Sequence, residues 1–181
     1  VRFKEAGKAT LSGRKLWFDD SVGRLNSEEK GEYLGSFEPE DRLLVFYHDG
    51  SYELRETEIT QRFDPEQIID LEKFIPDRIV TAIYLDKEKL QFNVKRFKVE
   101  TTTLNNRFVF IKEGEGNYLD SITTVEKPIV SVKSGRGTQA RVTKVKLIDF
   151  VEVMGWKAVG NKLTDYTKST EMEWIHKLEN P

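Results

Sequence analysis

The stretch LLVFYHDGSYEL, from Leu43 to Leu54, places two apolar runs on either side of an Asp-Gly pair. β-Branched and aromatic residues favour strands, and Asp-Gly supplies the positive φ values that a tight hairpin turn needs. The stretch therefore predicts two antiparallel strands joined at His48-Asp49-Gly50. A chain built around such a hairpin is expected to be richer in sheet than in helix.

The same pattern recurs at four other places along the chain. Short apolar clusters alternate with Gly, Asp, Asn and charged pairs, whereas the 3.6-residue periodicity of helices is scarce. The further predicted hairpins lie at residues 16–25, 79–99, 108–119 and 129–148. The sequence thus predicts an all-β fold.

The spacing of the hairpins indicates a repeated unit. The hairpin entered at Leu16 is followed by one entered at Leu44, and the hairpin entered at Val80 by one entered at Phe108, an offset of 28 residues in both cases. Two hairpins make a four-stranded sheet, and repetition at about 45 to 50 residues is typical of propeller-like blades. We predict about three such blades, either closed or left as an open arc, near residues 14–60, 78–124 and 128–164.

This organisation predicts one domain over residues 1–165 and a C-terminal tail over residues 166–181. Asp64-Pro65-Glu66 predicts a capped single turn of helix between the first two blades. The segment from Tyr166 to Leu178 is predicted either as a terminal helix or as a frayed end.

The composition and motifs exclude several classes of function. The chain has no Cys, so disulfides, thiolate metal sites and a Cys nucleophile are excluded. It contains no HExxH zinc motif, no phosphate-binding P-loop, no GxSxG elbow and no dinucleotide-binding glycine pattern. His48 falls in a turn, and Gly114 and Gly116 suit a hairpin turn better than a phosphate cradle. We therefore expect no catalytic residue, no metal site and no cofactor in this domain.

Hydropathy gives no indication of a membrane. No apolar run approaches the roughly 20 residues that a membrane helix needs, and the first residues lack the apolar core of a signal peptide. The expected location is the cytoplasm.

The charge distribution points to a polyanionic partner. Residues 128–168 carry eight basic and three acidic side chains, a net charge of +5, and because the whole chain has −2 the remainder sums to −7. A sign reversal of this size within a small protein predicts one surface that meets a polyanion, with nucleic acid as the first candidate.

Alternation along the basic segment suggests how that surface is built. Lys144 and Lys146 share one strand face while Arg141 and Thr143 lie on the other, so this strand is expected on an exposed rim. Arg136 lies between glycines at a hairpin tip, where its guanidinium can approach phosphates. A second basic group, starting at Phe92, is expected along the edge of the second blade. The predicted phosphate-contacting residues are Lys133, Arg136, Arg141, Lys144, Lys146, Lys157, Lys162, Lys95, Arg96 and Lys98.

Three short runs resemble a known family. They are residues 13–19, residues 92–97 and, most distinctively, GWKAVGNKL at residues 155–163. They resemble the C-terminal domain of the A subunit of bacterial type IIA topoisomerases, and topoisomerase IV most of all, over about residues 1–163. The resemblance implies a β-pinwheel, a propeller variant whose blades exchange strands, which binds and bends duplex DNA along a basic outer rim.

The resemblance also implies what lies outside this domain. In such enzymes the DNA-cleaving tyrosine belongs to the N-terminal breakage-reunion domain, and ATP is handled by the B subunit with Mg. The chain would then be a non-catalytic, nucleoid-associated partner of both. The Gln-Arg-Arg-Gly-Gly-Lys-Gly box of gyrase has no match here, since residues 133–139 and 155–162 both depart from it. The resemblance therefore favours relaxation and decatenation over gyrase-type wrapping.

A function of another class stays open. A propeller-like module that docks on another subunit or on a chromosome-associated protein would use the acidic first part of the chain. Residues 1–63 carry 13 acidic and 10 basic side chains, so they offer little attraction to DNA.

Overall fold

A computed structural model describes residues 13–175 of the chain. These residues form four small antiparallel sheets, and helix is confined to a 3₁₀ turn, Gly137–Gln139, and a short α-helix, Leu147–Phe150. Within this part of the chain no sheet closes into a barrel, and no helix has the length and apolar character that a bilayer span requires. The predicted all-β class is confirmed.

The strands are numbered in chain order. They are β1 (Arg14–Asp19), β2 (Arg24–Asn26), β3 (Glu32–Phe37), β4 (Leu43–Tyr47), β5 (Ser51–Arg55), β6 (Ile68–Lys73), β7 (Ile79–Asp86), β8 (Gln91–Lys98), β9 (Phe108–Val109), β10 (Tyr118–Thr123), β11 (Ile129–Ser134), β12 (Arg141–Lys146), β13 (Asn161–Asp165) and β14 (Glu171–Ile175). Their orders in the four sheets are β2-β1-β3, β6-β4-β5-β9, β10-β7-β8-β13 and β12-β11-β14.

The described residues divide into two compact units that interleave in sequence. Unit 1 comprises residues 13–75 and 102–108, and unit 2 comprises residues 76–101 and 109–175. The core of unit 1 consists of Leu16, Phe18, Leu25, Phe37, Leu43, Val45, Tyr47, Phe63 and Leu71. The core of unit 2 includes Ile83, Leu85, Phe92, Val94, Val130, Val132, Leu147 and Val151.

One layout recurs in every sheet. Each sheet starts from a hairpin, β1-β2, β4-β5, β7-β8 or β11-β12, whose first strand also pairs with a later third strand. In three of the four cases the neighbour of the hairpin's second strand also comes from farther along the chain. Strand β9 lies beside β5 and β13 beside β8, while an antiparallel bridge joins Arg24 in β2 to Arg62.

Four of the five predicted hairpins are confirmed, because local turn chemistry specifies them. At the β4-β5 turn Gly50 has a φ of +87°, and the Asp49 carboxylate accepts hydrogen bonds from the backbone N–H and hydroxyl of Ser51 at 3.0 and 2.6 Å. The predicted hairpin at residues 108–119 is wrong. Its first strand lies beside β5 and its second beside β7, and the consecutive burial of Phe110 and Ile111 breaks the alternation that a longer local strand would need.

The sheets do not follow the predicted division into three blades of two hairpins. Residues 14–60 contribute to two different sheets, because Glu32–Phe37 returns to pair with β1 before the second hairpin begins. The predicted helical turn at residues 64–66 is a hydrogen-bonded turn in which the Asp64 carboxylate accepts the N–H of Glu66 at 3.1 Å.

The predicted tail contains a strand. Residues 171–175 form β14 and pair with β11, so the prediction of either a helix or a frayed end is wrong for them. Residues 176–178 lie outside the described residues. The physical reason is alternation: Met172 and Trp174 pack against the unit 2 core, while Glu171 and Glu173 are exposed between them.

Candidate nucleic-acid interface

Strand β12 presents three exposed cations, Arg141, Lys144 and Lys146. It lies at the edge of the sheet β12-β11-β14, and five of its six residues are exposed. Even the apolar Val142 is 60% exposed. The sequence prediction of an exposed rim at this strand agrees with this position.

The strand register brings three lysines onto one face of this sheet. Lys133 in β11 pairs with Val142, and Ser131 pairs with Lys144. Directly paired residues project to the same side of a sheet, and every second residue along a strand does so too, which adds Lys146. The opposite face packs into the unit 2 core through Val130, Val132, Val145, Met172 and Trp174. We call Lys133, Lys144 and Lys146 the lysine face.

The lysine face has an acidic border on β14. Glu171 pairs with Lys133 and Glu173 pairs with Ser131, so both carboxylates project to the same side as the lysines. Even so, no lysine of this face forms an ion pair or a side-chain hydrogen bond with any residue between 13 and 175. With no partner among the described residues, these three charges are available to an external anion.

Arg136 occupies the tip of the β11-β12 hairpin. Gly135 has a φ of +85°, and a Cβ there would lie 2.4 Å from the carbonyl oxygen of Gln139, so the tip requires glycine. The turn also receives support from Ser169, whose hydroxyl accepts the Gly135 N–H at 3.2 Å. Arg136 is exposed beside this fixed turn, and Arg141 lies at the start of β12 on the face opposite to the lysines.

Three other predicted contacts lie outside the sheet β12-β11-β14. Lys157 is exposed, with its ammonium 5.1 Å from the centre of the Trp156 ring. Lys162 in β13 forms an ion pair with Asp165 at 2.7 Å. Lys98 is half-buried at the end of β8. Lys98 and Lys162 belong to the sheet β10-β7-β8-β13, and the register places neither beside β12.

Lys95 and Arg96 are buried, so the prediction of an exposed edge position is wrong for both. Their side chains are only 1% and 4% exposed, because β8 is a central strand between β7 and β13. The Lys95 ammonium donates hydrogen bonds to the carbonyl oxygens of Phe110 and, at 2.6 Å, of Trp156. The Arg96 guanidinium donates to the hydroxyl of Thr81 at 3.1 Å.

Lys95 holds the GWKAVGN run of residues 155–161 against β8. The Lys95 ammonium binds the carbonyl of Trp156. The hydroxyl of Tyr84 adds a second link, because it donates to the carbonyl of Val159 at 2.8 Å. Gly160, with a φ of +90°, allows the chain to pass directly over the backbone of Val94. Residues 155–161, which belong to the most distinctive of the three runs that resemble the family, therefore have a structural role in unit 2.

Burial of Lys95 makes stability depend on pH. Burial lowers the pKa of Lys95 from its ordinary value of 10.5 to about 8, so between these values the unfolded chain binds more protons than the folded one. The free energy of unfolding should therefore rise by about 2 kcal/mol from pH 7 to pH 9.5 on account of this group. Urea denaturation of the wild type and of Lys95→Met at both pH values measures the difference, since subtraction removes the tyrosine contributions.

The matched control for this measurement is Lys98→Met on the same strand, which should keep the wild-type rise. The same pH response in the Lys95 and Lys98 variants would contradict the assignment.

Three acidic side chains of unit 1, Asp70, Glu72 and Glu32, lie close enough together to interact. Burial, a hydrogen bond to Glu72 and the negative charge of Glu72 raise the pKa of Asp70 well above its ordinary value. Burial and the charges of Glu72 and Asp20 also raise the pKa of Glu32. No group of three or more side chains between residues 13 and 175 has a geometry that could hold a metal ion. This region of unit 1 is unsuited to a polyanion.

Comparisons with known proteins place these features in a family. No curated protein sequence matches the chain. A solved structure described as the crystal structure of the C-terminal domain of DNA topoisomerase IV matches 90% of this chain, with a TM-score of 0.59 and 11% identity, and this chain covers 61% of that one. At that identity the match shows a shared fold. The family model for the topoisomerase C-terminal domain of Bacteroidota matches residues 24–171, and the chain therefore belongs to this family of non-catalytic topoisomerase domains.

Proposed function

We propose that this chain binds duplex DNA for a type IIA topoisomerase, and that phosphates lie against the lysine face. The observation that carries the proposal is the register of β11 and β12, which aligns three exposed lysines that have no side-chain partner among residues 13–175. Family membership supports DNA as the polyanion, because topoisomerases act on DNA.

The chemistry of the lysine face suits the DNA backbone rather than the bases. Lys144 and Lys146 are two residues apart, about 7 Å along an extended strand. Duplex DNA carries one charge per about 1.7 Å of its axis, so such a row meets phosphates in any register. The charged groups of this face are lysine ammoniums, which act as point charges, and Arg141, which could read a base edge bidentately, lies on the opposite face of β12. We expect binding with little sequence preference.

The finer features of the family are part of the same proposal. We propose that the sheets are blades of a β-pinwheel. The support is that β9 and β13 pair with strands of hairpins that lie earlier in the chain, β5 and β8. The domain would bend duplex DNA and assist relaxation and decatenation in the cytoplasm. It would work beside a breakage-reunion domain that carries the catalytic tyrosine and a B subunit that uses ATP and Mg, without a cofactor of its own.

A second candidate function is docking on a protein partner. Its support is a run of exposed apolar side chains close together in sequence within unit 2, where a purely DNA-binding surface would be polar. These residues are Ile148, Phe150, Val153, Met154 and Val159.

Titration with plain duplex DNA tests the leading proposal. Fluorescence anisotropy with two labelled duplexes of unrelated sequence, at salt concentrations from about 50 to 200 mM, should give equal affinities. The slope of log affinity against log salt should be about −2.7 or steeper, which corresponds to three phosphate contacts. An absence of binding at the lowest salt would overturn the proposal and favour the protein-docking function.

A further inference from the structure

The position beside the second strand of the last hairpin holds no strand from the described residues. In the other three hairpins this position holds a later part of the chain, namely Arg62 beside β2, β9 beside β5 and β13 beside β8. Beside β12 the structure has no such neighbour among residues 13–175. The recurring layout thus defines a strand-sized position on one side of β12.

The backbone of β12 is suited to receive a strand there. All six residues, Arg141 to Lys146, pair with β11 in one unbroken register. By contrast, β3, β6 and β10 pair with their hairpins through irregular registers, and such bulges blunt a sheet edge. A regular edge strand presents a row of N–H and C=O groups that another extended chain can satisfy.

The side chains of β12 select the charge of the incoming strand. Lys144 and Lys146 project to one face and Arg141 to the other, so a second copy of β12 would meet like charges across the new pair. An acidic strand would instead meet complementary charge. The exposed Val142 adds an apolar contact for a β-branched neighbour.

We propose that the outer edge of β12 binds an extended acidic segment of another polypeptide as an additional strand of the sheet β12-β11-β14. The affinity comes from main-chain hydrogen bonds and the selectivity from the β12 cations. The proposal does not depend on DNA binding, but it has a consequence for it. An acidic strand seated there would neutralise Lys144 and Lys146 and compete with phosphates.

The probe is a blocked synthetic peptide in which Glu alternates with Val over the length of β12, added to the full chain without DNA. Two further versions carry N-methyl groups on alternate sets of backbone nitrogens. A strand presents successive N–H groups to opposite sides, so one methylated version should bind and the other should fail. The bound peptide should slow hydrogen exchange of β12 amides, measured by NMR.

Charge is tested separately with Lys144→Glu/Lys146→Glu. This variant should lower the affinity for the peptide about tenfold, because two cross-strand charge pairs become repulsive. Arg24→Glu on β2, whose outer side already carries the Arg62 bridge, is the control and should leave peptide affinity unchanged. Equal binding of both methylated versions would show simple charge attraction and overturn the proposal. Unprotected β12 amides, or protection that rises with protein concentration without peptide, would also overturn it.

Discussion

The triple variant Lys133→Ala/Lys144→Ala/Lys146→Ala should bind duplex DNA roughly 100-fold more weakly than the wild type at about 0.1 M salt. Each lost phosphate contact removes a slope of about 0.9 from log affinity against log salt, so the plot should become shallower by about 2.7. The three side chains are exposed and have no partner in the part of the chain that the structure describes, so their removal should leave the fold intact. Anisotropy titrations across a salt series measure both quantities.

The control must change net charge equally without touching the lysine face. Lys30→Ala/Lys87→Ala/Lys89→Ala removes three exposed positive charges from other parts of the chain. This variant should keep nearly the wild-type slope. Similar losses in the two triple variants would mean that DNA responds to overall charge, and the assignment of the interface to β11 and β12 would fail.

Gly160→Ala should lower the free energy of unfolding by about 3 kcal/mol or more, one of the largest effects expected for a single methyl group. The added Cβ would lie 2.3 Å from the carbonyl oxygen of Val94 and 2.9 Å from the Cβ of Lys95, at a φ of +90° that disfavours a side chain. The backbone atom cannot move aside without breaking the pairing of β13 with β8. For a chain of this size the melting temperature should fall by about 6 to 12 °C.

Gly155→Ala is the matched control in the same run of sequence. A Cβ at Gly155 meets nothing within 4 Å, and its φ lies outside the left-handed region. This variant should change stability by less than about 0.5 kcal/mol. Thermal denaturation followed by circular dichroism compares the two variants. Equal melting temperatures would show that residues 155–161 do not need the close approach to β8.

Local features of the fold were predictable because short-range chemistry sets them. An Asp-Gly pair between apolar runs suffices to specify the β4-β5 hairpin, and alternation in β12 suffices to place Lys144 and Lys146 on one exposed face. The sheet partners were not predictable in this way. Strand β9 has only two residues, and its neighbour β5 lies more than 50 positions earlier in the chain.

The buried cations show a second limit of sequence reasoning. Lys95 and Arg96 follow one another in a basic segment, which suggests an exposed strand. The groups that make burial tolerable are the carbonyls of Phe110 and Trp156 and the hydroxyl of Thr81, all at least 15 positions away. Charge counts cannot distinguish a cation paired with distant carbonyls from one that faces water.

The order of the paired strands along the chain affects how the protein folds during synthesis and how its fold can change in evolution. Strand β8 acquires its outer neighbour only after residues 161–165 exist, and β5 only after residues 108–109 exist. Synthesis proceeds from the N terminus, so each of these hairpins leaves the ribosome before the strand that completes its sheet has been made. The segment that follows a hairpin also pairs with the second strand of the preceding hairpin. The gain or loss of one hairpin together with that segment during evolution therefore alters two sheets at once.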